Sequence, residues 1–213
     1  MMIPDTPTPF AVEKSEEEGF FSFSWQTFKA TLFKPKQFFS QLDPQGSLRR
    51  PLSYWILFNL IGSFFISAQV LLFTQGELKK GAGLAPGNDW GPFLFAIFAG
   101  FLLICLLLLL TNGIFTGWFH LLLRWRKGTS YPFRSSFRVL CFSSSPYFLF
   151  AIPIVGIWLG GLWSTILFLF GIKTIHQTSW TRVITTWIMA NALFGFVIFA
   201  GVFLAGYFRQ YFL

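Results

Sequence analysis

Apolar residues fall along this chain in long blocks, each bounded by charge, proline or glycine. A bilayer hydrocarbon core about 30 Å thick is crossed by roughly 20 helical residues. The blocks at residues 52–73, 92–123, 139–172 and 186–208 all reach that length. The third organises the rest. Its 34 residues carry no charged side chain, and near its middle stands Ile152-Pro153-Ile154-Val155-Gly156. Pro153 removes a backbone donor and turns Ile152 away from helix, while Gly156 permits a tight reversal. The block therefore reads as two spans joined by a turn, and the whole chain as an all-α integral membrane protein, a five-helix bundle. The second block would extend about 48 Å as one helix, so it should tilt, kink at Thr111-Asn112-Gly113, or protrude.

Ahead of the first span the pattern changes. Phe21, Trp25, Phe28 and Leu32 recur at helical spacing and predict an amphipathic helix over Phe20–Phe33. With Lys29, Lys34, Lys36, Arg49 and Arg50 close by, the segment suits a lipid interface, its aromatic face in the headgroup boundary and its cations near anionic lipid. A helix packed on the cytoplasmic ends of the spans is an equal alternative. Pro35 ends it, Phe38, Phe39 and Leu42 form a second apolar cluster, and Asp43-Pro44-Gln45-Gly46 reads as a turn. Residues 1–19, with three prolines and Glu16-Glu17-Glu18, predict a disordered acidic tail. Residues 74–91, where four charges cancel, read as a hydrophilic loop. The organisation expected is a tail (1–19), an interfacial segment (20–50) and a membrane domain (51–213).

Composition agrees: 54% hydrophobic and 11% charged residues exclude an ordinary soluble fold. The net charge of +8 does not point to nucleic acid, because the basic residues sit beside apolar runs, where they orient the chain. With the N-terminus cytoplasmic, thirteen lysines and arginines fall inside and three outside, leaving the C-terminus outside. Trp55, Trp90, Trp125, Trp180 and Trp187 lie near predicted span ends, as interfacial anchors do. No basic n-region leads into an apolar core at the N-terminus, so the first span is expected to direct insertion.

After Asp89 there is no carboxylate. Ion-coupled transport, acid–base catalysis and hard-metal binding usually need one inside the membrane. His120 and His176, near the same ends of two spans, can approach one another, yet two imidazoles without a third ligand make a weak metal site. Ser143-Ser144-Ser145 lacks a nucleophile-elbow pattern and an acidic orienter, so bonding within its own turn is expected. Cys105 and Cys141 sit in apolar runs as small hydrophobes, not as a disulfide or zinc site. No catalytic residue, metal or cofactor is expected. Small residues three apart, Ala96 with Gly100, Gly113 with Gly117, Gly156 with Gly160 and Gly201 with Ala205, allow close helix approach within one bundle or between copies.

The ordered series of boundary residues resembles the Yip family, the Ypt/Rab-interacting membrane proteins. It is carried by Pro35 with Phe38-Phe39, Arg49-Arg50-Pro51-Leu52-Ser53-Tyr54, His120, Tyr131-Pro132-Phe133 before Arg138, Ser145-Pro146-Tyr147, the Pro153–Gly156 turn, Trp163, and Gly171-Ile172-Lys173 with His176 and Ser179. The resemblance implies five spans, a cytoplasmic N-terminal segment and functional interest in His120, Ser145, Pro146, Tyr147, Pro153, Gly156 and His176. Eukaryotic relatives bind prenylated Rab-type GTPases and often carry an Asp-Leu-Tyr-Gly-Pro-like stretch before the first span. Ser47-Leu48-Arg49-Arg50-Pro51 stands there instead, which argues against GTPase binding. The short N-terminal arm is similar to that of bacterial members, so a bacterial inner-membrane protein is expected. The expected role is a non-enzymatic organiser of membrane engaging anionic lipid, a protein partner or a second copy, with a lipid or small-solute translocator as the alternative.

Overall fold

The computed structural model describes residues 19–81 and 90–212, all helix and connection with no strand among them. The predicted acidic tail lies, but for Gly19, outside the described residues. Helix α1, Phe20–Phe33, ends where Pro35 starts the short α2, Pro35–Ser40. The Gln45 N–H then donates to Asp43 Oδ1 at 2.8 Å, closing the expected turn.

Helices α3 (Arg49–Gly81), α4 (Trp90–Trp125), α6 (Val155–His176) and α7 (Trp180–Phe212) each contain a stretch long and apolar enough to cross a membrane. Helix α3 continues through Gly81, so residues 74–81 are helix where a loop was expected; residues 82–89 lie outside the described set. Helix α7 begins at Trp180, a turn and a half earlier than the apolar pattern marks. Nor does Thr111-Asn112-Gly113 interrupt α4. The Thr111 hydroxyl donates to the Leu107 carbonyl at 2.6 Å and the Asn112 amide to the Leu108 carbonyl at 2.7 Å, so both polar groups are satisfied within the helix.

Between α4 and α6 the chain is not one helix but two pieces in series: α5, Phe133–Ser143, and a 3-10 helix, Ser145–Ala151. Pro146 causes the change. It has no N–H for the Phe142 carbonyl, and Ser145 Oγ donates to that carbonyl instead, at 2.8 Å. The Tyr147 N–H reaches Ser144 O at 3.0 Å, an i−3 bond that continues the tighter winding. This limb runs antiparallel to α6. Val139 touches Gly171, Ser164 Oγ donates to Ser143 O at 2.7 Å, and the Pro146 and Leu149 carbonyls face Gly160 and Gly156. An added Cβ would lie 2.0 Å from Leu149 O at Gly156 and 2.8 Å from Pro146 O at Gly160, so glycine alone admits this closeness. Of the four small-residue pairs, this one lets backbone approach most closely; a Cβ at Gly113 or Gly117 would meet Trp55 or Phe133 at 3.8–3.9 Å, and one at Gly100 or Gly201 would meet nothing within 4 Å among the described residues.

The limb is also the most enclosed element: Ser135, Ser136 and every residue from Arg138 to Tyr147 are buried. At one end of the bundle Phe38, Phe39, Tyr54, Phe119, Val139 and Phe142 close a core beneath α1 and α2. Helix α1 meets that core with a mixed polar and apolar side. Phe23, Ser24, Thr27, Ala30 and Thr31 are buried. Phe21 and Trp25 are 81% and 60% exposed.

Candidate functional site

Three elements converge at the end of the bundle that carries Arg124, Lys127, Arg134 and Lys173. His120 comes from the end of α4, Ser136 from the first turn of α5, and His176 closes α6. Ser136 Oγ lies 2.8 Å from His120 Nδ1 and 2.8 Å from His176 Nε2. The Ser130 N–H donates to His176 Nδ1 at 3.3 Å, and Ser130 Oγ donates to the His176 carbonyl at 2.9 Å. These bonds assign every proton. His176 accepts at Nδ1 and so donates from Nε2 to Ser136, whose hydroxyl in turn donates to His120 Nδ1. The result is a one-directional chain of two neutral imidazoles and a hydroxyl, pinning three elements together inside a buried contact. No group of three metal-ligating side chains occurs among the described residues. The sequence pairs the two histidines but misses Ser136, which has no spacing signal of its own beyond a small polar pair opening an apolar run.

Ser145 makes a second node. Its Oγ lies 2.7 Å from Thr31 Oγ1 and 2.8 Å from the Tyr54 hydroxyl, so α1, α3 and the limb meet through hydroxyls. Ser143 and Ser144 bond the Val139 and Cys141 carbonyls, each at 2.7 Å, within their own turns. A nucleophilic serine would need its oxygen free and a base beside it; here all three serines are engaged with backbone or neighbouring hydroxyls.

At the far end, the reversal predicted from Pro153 and Gly156 is present. Ile154 sits at φ 65°, a region a β-branched residue rarely adopts. The Val155 N–H closes on Pro153 O at 2.6 Å, the three-residue turn that this φ produces. Gln69 of α3 brackets the turn, its amide nitrogen donating to the Phe150 carbonyl and its Oε1 accepting from the Ile154 N–H at 3.2 Å. Gln69 is thus how α3 satisfies the irregular backbone of the turn. Nothing in the apolar pattern marks Gln69 as the partner.

The predicted interfacial residues divide. Phe21 and Trp25 face outward, Lys29 stands over the Trp25 ring at 5.4 Å, and Lys34, Lys36 and Arg49 are exposed. Phe28 is half-buried, stacked on Phe58 at 5.6 Å, and Arg50 lies over the Phe23 ring at 5.3 Å, so these two belong to the α1–α3 contact. Trp125 and Trp180 are exposed as anchors would be. Trp55 is not: it is 6% exposed and packs edge-on against Phe137, because it lies on the face of α3 that meets α4 and α5. Trp187, seven residues into α7, is half-buried.

Trp187 helps to line a partly open cavity of about 210 Å³ between α4, the limb, α6 and α7. Asn112, Thr116, Tyr147, Ser164 and Thr165 supply its polar wall. Asn112 and Ser164 stand roughly 18–20 Å from the basic ends of their helices, near mid-depth for a core of about 30 Å.

Four membrane-length apolar helices around an enclosed, broken limb define a polytopic α-helical integral membrane protein. The Yip1 domain matches residues 29–205, most of the chain, and the chain belongs to that family. No curated protein and no solved structure matches it.

Proposed function

We propose that this Yip1-domain protein is a non-enzymatic organiser of the membrane, gripping anionic lipid through α1 and the basic end of the bundle. The observation that carries the reading is the outward set of large rings on α1: Phe21, Trp25 and Phe33 are exposed, although Phe23, Ser24, Thr27, Ala30 and Thr31 on the same helix are buried. In water each large outward ring forgoes about 1.5–3 kcal/mol of burial, whereas in the headgroup boundary those rings are solvated by lipid and Lys29, Lys34, Lys36 and Arg49 meet phosphate. Spin labels at position 21 of the reconstituted full chain test it. Greater relaxation by oxygen than by a water-soluble nickel chelate is expected, together with enrichment of phosphatidylglycerol over phosphatidylcholine around the protein. A water-exposed label, or equal enrichment of the two lipids, refutes it.

The limb supports a fifth crossing. Eleven α-helical and seven 3-10 residues rise about 30 Å in series, the thickness of the hydrocarbon core. Five crossings put the two ends of the chain on opposite sides, and the excess of Lys and Arg on the N-terminal side puts the N-terminus in the cytoplasm and the C-terminus outside, in a bacterial inner membrane. The Arg49-Arg50 pair favours lipid, a protein partner or a second copy over a GTPase. Labelling of engineered terminal cysteines with a membrane-impermeant reagent must find the two ends on opposite sides. A second reading, a lipid or small-solute translocator, is favoured by the mid-depth cavity beside a broken helix. Flux above that of empty vesicles is its test.

A further inference from the structure

We infer that the mid-depth cavity is a binding site for an uncharged, hydroxyl- or carbonyl-bearing head on a membrane-soluble chain. The inference rests on the cavity that the translocator reading uses, and it names the ligand class without requiring movement. The wall offers hydrogen bonding without charge: an amide at Asn112, hydroxyls at Thr116, Tyr147, Ser164 and Thr165, and the indole of Trp187. No lining residue is an acid, a base or a histidine. A phosphate or ammonium at this depth would be desolvated with no countercharge, a cost of several kcal/mol; a neutral carbonyl or hydroxyl would not.

A second observation points the same way. Thr116 is 0% exposed and lines the cavity, yet its Oγ1 has no hydrogen-bond partner among the described residues. The other threonines of this region, Thr111 and Thr165, bond their own helices. An unpaired buried hydroxyl is costly, and a ligand oxygen in the cavity would pair it. Shape agrees too. Phe115, Leu140 and Phe168 give the cavity apolar flanks, and Gly161 contributes a wall with no heavy atom within 4 Å of a would-be Cβ. Neutral heads of this kind occur on diacylglycerols and on isoprenoid quinones, and their shared chemistry is an oxygen acceptor or donor on an apolar body.

The full chain, reconstituted in phosphatidylcholine vesicles, is irradiated with one of three diazirine-bearing probes: a diacylglycerol, an isoprenoid benzoquinone or a phosphatidylglycerol. Adducts are then mapped by mass spectrometry. Cavity-lining peptides should carry at least five-fold more adduct from one neutral probe than from phosphatidylglycerol, and the better neutral probe identifies the source. Gly161→Leu, which fills the space, should remove that excess at least five-fold. Thr116→Val, nearly the same size but without the hydroxyl, should lower it two- to ten-fold with a melting temperature no lower than the parent's, and it keeps the test intact if the leucine variant misfolds. A cavity that holds only water leaves every probe at the phosphatidylglycerol level and overturns the inference, as does labelling that neither variant alters. Labelling without flux removes the translocator reading and leaves this one standing.

Discussion

Gly160 and Gly161 are neighbours in α6, and replacing each by alanine should move stability in opposite directions. At Gly160 the new Cβ would lie 2.7 Å from Phe150 Cε1 and 2.8 Å from the Pro146 carbonyl oxygen. Neither can give easily. The Phe150 ring is buried and stacked on Tyr147 at 5.0 Å, and the Pro146 oxygen is backbone of the enclosed limb. Overpacking of this kind costs about 1–3 kcal/mol, against up to about 1 kcal/mol returned by the better helix propensity of alanine. A net loss of about 1–2 kcal/mol should lower the melting temperature by roughly 2–8 °C, since about 1 kcal/mol shifts a chain of this size by roughly 2–4 °C. At Gly161 nothing lies within 4 Å, so propensity acts alone and the melting temperature should hold or rise by up to about 4 °C. Both variants and the parent would be melted in one detergent by intrinsic fluorescence. Equal shifts, or a harmless Gly160→Ala, would show that the limb does not pack on α6 through this glycine.

Ser136→Ala leaves the His176 Nε2–H and His120 Nδ1 facing each other across a vacancy and should cost about 1–3 kcal/mol; chemical denaturation in detergent micelles reads this, and an unchanged midpoint would mean the imidazoles are not coupled through that hydroxyl. Gln69→Leu strips both partners from the Phe150–Ile154 turn, so backbone amide exchange at Ile154 should accelerate at least ten-fold while α4 and α7 keep their protection. Gln177, at φ 49°, closes α6 in a conformation glycine prefers, and Gln177→Gly should therefore stabilise by up to about 1 kcal/mol, visible as slower loss of fold on heating.

What could be read from the residues, and what could not, divides along one physical line. Proline and glycine act through the backbone whatever the solvent, so the ends of α1 and the reversal at Pro153 follow from local chemistry. Orientation of a face depends on what lies outside it. The Phe21–Trp25–Phe28–Leu32 stripe suits a headgroup boundary or a packed contact equally, and the structure divides it: Phe21 and Trp25 are exposed, while Phe28 and Leu32 pack on the core and Thr31 turns inward to Ser145. Trp55 and Gln69 were opaque for the same reason, since hydropathy marks depth but not azimuth. Pro146 stood in plain view, yet nothing local says that the broken segment would occupy the centre and unbroken helices surround it. Of the candidate site, the two histidines were legible as a pair, whereas Ser136 and the cavity wall exist only once α4, α5, α6 and α7 are assembled.

The enclosure of the α5–3-10 limb also sets an order of assembly. Its serines and the buried Arg138 leave it poorly suited to stand alone among acyl chains, and the carbonyl freed by Pro146 is met by a side chain that α1 and α3 must shelter. If the limb is the fifth crossing proposed above, it would be expected to enter the membrane paired with α6 and not on its own. Biogenesis on that reading would hinge on α6 escorting the least lipophilic piece of the bundle into place.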